Sequence, residues 1–259
     1  CICSKFSFVI KLHTITMYSL VVRKLKSVIA AGGLGTRLQN FRENDSTKIL
    51  LDVLGVPMIN HQINQLKNWG CEDFVIIINP DFGDLIKKVT IEAFPNLNIQ
   101  FVIQKKPKGI SHALKQAESC INADEKILFI LGDNFFENNP IEDFDLNSFN
   151  KGAYIFTKSV KNPEEFGVAE LDKSGNVLSI EEKPQDPKSN QAVVGVYIFD
   201  ETVFQKINTL TPSKRGEYEI TDLCSLYVNQ KDCKNFLIDG WWIDAGTPER
   251  IIELEEKLS

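Results

Sequence analysis

The chain has 259 residues, 43% hydrophobic and 25% charged, with a formal net charge of −6, enough apolar material for one large core or a core with a small annex. The charges of the first 26 residues are all basic, so the remainder is more acidic than the total suggests, and an acidic body without a basic stripe repels nucleic acid. Phe6 to Ile10 and Leu20 to Val22 are too short to span a membrane, and scattered cysteines without metal-ligand spacing read as reduced thiols of a cytoplasmic protein.

Residues 1–26 are expected to form an N-terminal extension outside the fold, with residues 1–16, ahead of Met17, as upstream translated sequence or a leader. Strand-like apolar runs then fall at Val28 to Ala31, Phe74 to Ile78, Ile99 to Ile103 and Ile127 to Leu131. Between them Ile59, Ile63 and Leu66 repeat at helical spacing, as do Leu85, Val89 and Ala93, and then Ala113, Leu114 and Ala117. Such alternation predicts right-handed crossovers in a parallel sheet. Past Lys151 the strands come closer together, at Tyr154 to Thr157, Val168 to Leu171, Val177 to Glu181 and Val193 to Phe199, with a hairpin loop at Asp172 to Asn176. A helix over Ile220 to Val228, a strand near Phe236 to Ile238, the Trp241 to Asp244 segment and a helix from Pro248 to Leu258 complete the order. The expected fold is α/β: a Rossmann-like, mostly parallel mixed sheet flanked by helices, with residues 27–150 binding nucleotide and residues 151–259 a smaller β-rich part of the same domain and sheet.

The first strand empties into Gly32-Gly33-Leu34-Gly35-Thr36-Arg37-Leu38, and Lys48 follows eleven residues after the arginine. Glycines let backbone N–H groups approach an anion, so a buried strand feeding such a loop with cations outlines a triphosphate cradle. The Walker spacing is absent, and the dinucleotide pattern fails because its third glycine position is Leu38. Asp133 closes the fourth strand in Leu131-Gly132-Asp133-Asn134, where a carboxylate suits a hard divalent cation shared with phosphate oxygens. Asp244 repeats the arrangement ahead of Ala245-Gly246-Thr247-Pro248, although spacing leaves open whether it meets Asp133 or simply caps a helix.

From about Ser27 to Leu254 the chain resembles the sugar-1-phosphate nucleotidylyltransferases. The resemblance is carried by the glycine loop, Leu131 to Asn134, Phe166-Gly167-Val168, Glu181-Glu182-Lys183-Pro184, Val194-Gly195-Val196-Tyr197, Arg215 to Asp222 and Trp242 to Thr247. It implies the nucleotide-diphospho-sugar transferase type of fold and an Mg²⁺-dependent coupling of dTTP or UTP to a hexose 1-phosphate, probed first as glucose 1-phosphate. The alternative is a non-catalytic nucleotide-sugar sensor on the same fold. The resemblance assigns Arg37, Lys48 and Lys183 as catalytic cations. It puts Gly32, Gly33, Gly35, Thr36, Arg37, Gln104, Gly109 and Asp133 against the nucleotide, with Gln104 reading the pyrimidine edge. Asn134, Gly167, Glu182, Lys183, Gly195 and Trp242 fall to the sugar phosphate, and Asp133 and Asp244 to Mg²⁺.

The implied partners are these small molecules, without nucleic acid or membrane, and a homo-oligomer stays open. Two departures from the family pattern stand out. Asp52 follows Ile49-Leu50-Leu51 where a proline is usual, removing a fixed φ from the loop after Lys48. The chain also ends soon after Thr247, so feedback inhibition and tetramer formation are not carried over.

Overall fold

The structure, a computed structural model, describes residues 25–33 and 47–259. Of the extension expected over residues 1–26, Leu25 and Lys26 instead open β1, where they pair with Lys126 and Ile127, while residues 1–24 and the glycine-loop positions Gly35, Thr36 and Arg37 lie outside the described residues. In chain order the elements are β1 (Leu25–Ala30), a 3-10 turn (Lys48–Leu50), β2 (Asp52–Val53), β3 (Val56–Pro57), α1 (Met58–Asn68), β4 (Asp73–Ile78), α2 (Gly83–Ala93), β5 (Asn98–Ile103), α3 (Ile110–Lys115) and β6 (Lys126–Leu131). There follow β7 (Asn134–Phe136), β8 (Ala153–Ser159), β9 (Gly167–Leu171), β10 (Val177–Glu182), β11 (Gln191–Phe199), α4 (Val203–Ile207), α5 (Ile220–Asn229), β12 (Cys233–Leu237), β13 (Trp242–Asp244) and α6 (Pro248–Leu258).

Strands β5, β4, β1 and β6 lie side by side and parallel. β1, β4 and β6 are apolar on both faces because helices cover both, as a parallel sheet requires. Alternate residues feed two cores. Ile29, Ile76 and Ile130 pack with Ile59 and Ile63 of α1, Ile86 of α2 and Leu254 of α6. Val28, Val75 and Phe129 pack on the other face with Leu114 of α3, Phe204 of α4 and Tyr227 of α5. Because β1 is flanked by β4 and β6, the chain order reverses between β1 and β6, and the crevice at their carboxyl ends is where such sheets bind ligands.

Antiparallel pairing of β11 with β6 carries the same sheet into the second half of the chain. β8 lies beyond β11, and β12 runs parallel to β8 at the edge. The β9–β10 hairpin, whose turn is held by Asp172 Oδ1 accepting from the N–H groups of Ser174 and Asn176, meets β11 at Ala192. β11 thus pairs with β9 at its start and with β6 from Val196 on, leaving a gap on this edge around Gly195. On its other edge the register with β8 shifts between Val193 and Tyr197, a bulge that bends the strand at the same place. Among the described residues no helix is long and apolar enough to cross a membrane.

Thr247 caps α6, its hydroxyl accepting from the Arg250 N–H at 3.4 Å, as the sequence predicts for Thr before Pro. The β2–β3 ribbon, β7 and α4 were not expected. Elements of two to five residues are too short to show a period.

Candidate active site

Three chain segments meet at the carboxyl end of β6. Thr47, fully buried, donates its hydroxyl to the Gly33 carbonyl at 3.1 Å and so ties the end of β1 to the turn that carries Lys48. The Lys48 ammonium contacts the Asp133 carboxylate directly. Gly132 donates to the Ala30 carbonyl at 3.0 Å, and a Cβ on Gly132 would stand 2.7 Å from Ile49 Cδ1, so the strand end and the Lys48 turn close on a residue without a side chain. Asp52 does not disturb this arrangement. It pairs with Pro57 in the β2–β3 ribbon, exposed to solvent, and the ribbon turns on Leu54 and Gly55, both at positive φ.

The main chains that carry the two aspartates lie side by side. β7 and β13 pair antiparallel with Asn134 opposite Asp244, and the Ala245 N–H donates to the Asp133 carbonyl at 2.8 Å. Asn134 fixes the junction: its amide nitrogen donates to Asp133 Oδ1 at 2.9 Å, while its oxygen accepts from the Trp242 indole at 2.8 Å and from the Gly195 N–H at 3.0 Å. Asn134 is therefore a strut that fills the gap in the sheet at Gly195, with its oxygen already engaged by protein donors.

Burial pushes the Asp133 pKa up, but the Lys48 charge, with hydrogen bonds from Lys48 and Asn134, outweighs it and holds the carboxyl below its ordinary value. An ionised Asp133 with Asp244 on the adjoining strand fits Mg²⁺, which takes one or two carboxylates from protein and completes its shell with water and phosphate oxygens. The Lys48 ammonium, as a cation seated on Asp133, marks the same preference. Among the described residues no group of three or more His, Cys, Asp or Glu gathers as a metal site.

From this junction a cavity of about 840 Å³ opens, lined by Asn134, Gly167, Glu182, Lys183, Gly195, Trp242 and Asp244 among others. Predicted sugar-phosphate residues and one predicted metal ligand thus share one wall. Gly167 leaves room for Thr221, since a Cβ there would lie 2.6 Å from Thr221 Cγ2. Lys183 has φ +45°, left-handed for a residue that precedes a proline, and its N–H donates to the Phe166 carbonyl at 3.0 Å. Such a conformation costs on the order of 1–3 kcal/mol and persists only where its surroundings impose it. Trp242 meets Phe166 edge-on at 5.2 Å and walls the cavity.

Sequence reasoning missed the side chains that hold Glu182. The Arg215 guanidinium lies 3.5 Å from Glu182, 3.0 Å from Glu217 and 3.2 Å from Glu219, and the Thr221 hydroxyl donates to Glu182 at 3.2 Å. Their signal was present in the Arg215 to Asp222 stretch, which carried the resemblance without a role. Burial, then the charge of Glu219, raises the Glu182 pKa despite Arg215, Lys183 and Thr221. The native protein therefore takes up a proton at Glu182 before the unfolded chain does, and stability falls as pH rises from about 4.5 through the raised value. Asp133 has the opposite sign, its contribution being complete above about pH 4 and lost as pH falls through its lowered value. Urea unfolding of the parent and Glu182→Gln across pH 4.5–7 is expected to show a shallower decline in the variant; parallel curves would contradict the assignment.

Gln104 and Gly109 stand apart from this cavity, on the glycine-loop side. Gln104 follows the last residue of β5 beside Gly32, and Gly109, at φ +99°, is enclosed by Tyr218, whose main-chain N and O would both lie 2.7 Å from a Cβ there.

The fold and the sequence have counterparts among known proteins. A model of the nucleotidyl transferase family matches residues 26–259. The chain belongs to that family. It is 32% identical over 237 residues to the low-salt glycan biosynthesis nucleotidyltransferase Agl11 of Haloferax volcanii, covering 90% of this chain and 65% of that protein. To the glucose-1-phosphate thymidylyltransferase of Neisseria gonorrhoeae it is 36% identical over 234 residues, 88% of this chain and 81% of the relative. A Bacillus anthracis protein assigned as a glucose-1-phosphate thymidylyltransferase and crystallised with sucrose superposes with a TM-score of 0.80 at 35% identity, covering 90% and 94% of the two chains. The nucleotidyl transferase chain described here thus spans about two thirds of the Haloferax relative's length, and its fold is of the nucleotide-diphospho-sugar transferase type.

Proposed function

We propose that the protein is a sugar-1-phosphate nucleotidylyltransferase that joins a pyrimidine nucleoside triphosphate, dTTP or UTP, to a hexose 1-phosphate, with glucose 1-phosphate as the first candidate. The observation that carries this reading is the junction at which Lys48, Asp133 and Asp244 converge at the mouth of a cavity holding Lys183 and Glu182. Membership of the nucleotidyl transferase family and the thymidylyltransferase relatives support it.

In the proposed reaction an oxygen of the sugar phosphate attacks the α-phosphorus in line. The bond from that phosphorus to the bridging oxygen breaks, and pyrophosphate leaves with the electron pair. Proton transfer by the protein is not required, so its work is positioning and charge neutralisation. Lys183 holds the attacking phosphate, and its imposed backbone conformation sets where the ammonium sits. Lys48, with Arg37 from the glycine loop, neutralises the triphosphate and the departing pyrophosphate; Arg suits a two-pronged grip and Lys a point charge. Glu182, steadied by Arg215 and Thr221, accepts from sugar hydroxyls, while the main chain at Gly167 and Gly195 lines the space for the ring and Trp242 walls it. Asp133 and Asp244 would hold Mg²⁺, which when bound offsets the repulsion between the two anionic substrates.

Purified protein incubated with Mg²⁺, each of dTTP, UTP, CTP, ATP and GTP, and several hexose 1-phosphates is expected to release pyrophosphate and form a nucleotide-sugar with dTTP or UTP. No turnover with any pair, from folded protein that still binds nucleotide, would replace the enzyme with the sensor.

A further inference from the structure

β7 has three residues and one partner strand, β13. Toward that partner the Asp133 carbonyl accepts from the Ala245 N–H at 2.8 Å, and the Glu137 N–H donates to the Trp241 carbonyl at 3.0 Å. Main-chain groups of successive residues in a strand point to opposite edges, so those of Asn134 and Phe136 point away from β13. Both residues are buried, at 1% and 5% exposure.

The side chain of Gln65, from α1, stands where a second neighbouring strand would. Its Oε1 accepts from the Phe136 N–H at 2.8 Å and its Nε2 donates to the Asn134 carbonyl at 3.3 Å. An N–H only donates and a main-chain carbonyl only accepts, so the two bonds together fix which way the amide points. Losing either leaves a main-chain group of a buried residue unpaired. β7 in turn carries the Asn134 amide, which bonds Asp133, Gly195 and Trp242 and so joins the phosphate end of the cavity to its wall. Gln65 itself does not line that cavity.

Resting on the reading that the cavity takes a hexose 1-phosphate, we propose that Gln65 is a positioning residue for the sugar-phosphate site, acting through β7 and Asn134. The glycine loop follows β1 and Gln104 follows β5, away from the two Gln65 bonds, so the nucleoside triphosphate should feel their loss less.

The test measures kcat and both KM values in the parent, Gln65→Met and Gln65→Glu, together with amide hydrogen exchange of the Asp133 to Glu137 segment without substrates. Methionine keeps the length and the helix propensity of glutamine but makes neither bond. In Gln65→Met the KM for glucose 1-phosphate is expected to rise about tenfold, that for the triphosphate to change less than about twofold, and β7 to exchange faster while β1 and β4 stay protected. A role confined to stability would lower the amount of folded protein and hence kcat alone, so an unchanged sugar-phosphate KM overturns the proposal. Gln65→Glu adds a pH profile. Its carboxylate accepts from the Phe136 N–H but opposes the Asn134 carbonyl; once protonated, its O–H donates there. The sugar-phosphate KM of this variant, relative to the parent at each pH, is expected to fall toward the parental value from about pH 8 to about pH 5.5, since a carboxyl set against a carbonyl titrates above its ordinary range. A ratio independent of pH overturns the proposal, and this arm decides alone should Gln65→Met fail to fold. A parent that uses no hexose 1-phosphate overturns the transferase reading before any variant is made; faster exchange of β7 in Gln65→Met would then still support the hold of Gln65 on that strand, and unchanged exchange would refute it.

Discussion

Asp133→Asn is expected to lower turnover by about 10³-fold while leaving the protein folded. Asparagine keeps the shape, and it can still accept from Asn134 Nδ2, but it removes the charge that faces Lys48. Losing one preorganised charge in a phosphoryl-transfer site costs on the order of 10²–10³-fold, and weakened metal binding adds to it. The measurement is single-turnover kinetics over a range of Mg²⁺ concentrations, with a thermal melt as the control for folding. Undiminished Mg²⁺-dependent turnover would remove Asp133 from the site. Lys48 complicates the stability readout, because the substitution leaves its ammonium without its charged partner at Asp133. A modest fall in melting temperature is therefore compatible with the assignment, whereas retained activity is not.

Gly195→Ala should have the second largest effect, and on a residue with no side chain to contribute. A Cβ at this position would stand 2.5 Å from Cγ and Oδ1 of Asn134. Displacing Asn134 breaks its bonds with the Gly195 N–H and the Trp242 indole and loosens its grip on Asp133. Forcing even one methyl group into a packed site costs about 1–3 kcal/mol, and the loss here spreads to Asp133 and to the wall of the cavity. KM for the hexose 1-phosphate is expected to rise at least tenfold together with a fall in kcat. The double variant Gly195→Ala, Asn134→Ala provides the check on cause. With the clash removed, stability should partly recover, and a double variant less stable than either single one would refute the steric account.

Much of the fold was legible in the residues because the physics there is local. Strands β1, β4 and β6 stood out as apolar runs, since a parallel sheet covered on both faces needs no alternation, and β5 at the sheet edge stood out by its Ile, Phe and Val alone. The crossover helices showed their period, and Thr247-Pro248 marked the start of α6 to the residue. β7 was not legible. It has three residues, it pairs with a strand more than a hundred positions away, and nothing in Asn134-Phe135-Phe136 states that Trp242 to Asp244 will lie against it.

The candidate site divides along the same line. Asp133 could be placed at a strand end from the run before it, and the chemistry of the glycine loop, Lys48 and Lys183 came from residue type and from the resemblance. Asn134 was expected to face the sugar phosphate, and only the folded chain shows it bonded to Gly195, Trp242 and Asp133. Nor did composition or spacing mark His112, which looked like a residue at the edge of the core. Its bond to Gln104 depends on how α3 follows β5 and on the loop at Tyr218 that closes over Gly109.

What the sequence determined by itself is the order of strands and helices, the two-faced burial of the parallel strands, and the residue types a phosphate and cation site requires. These follow from period, turn chemistry and charge, each of which acts over a few residues. Tertiary structure decided that the segments carrying Asp133 and Asp244 lie side by side, which amide serves as a strut, and which histidine bonds Gln104. Those are contacts between residues from 8 to more than a hundred positions apart in the chain, and a hydrogen bond's direction and reach exist only once the sheet has brought both partners to one edge.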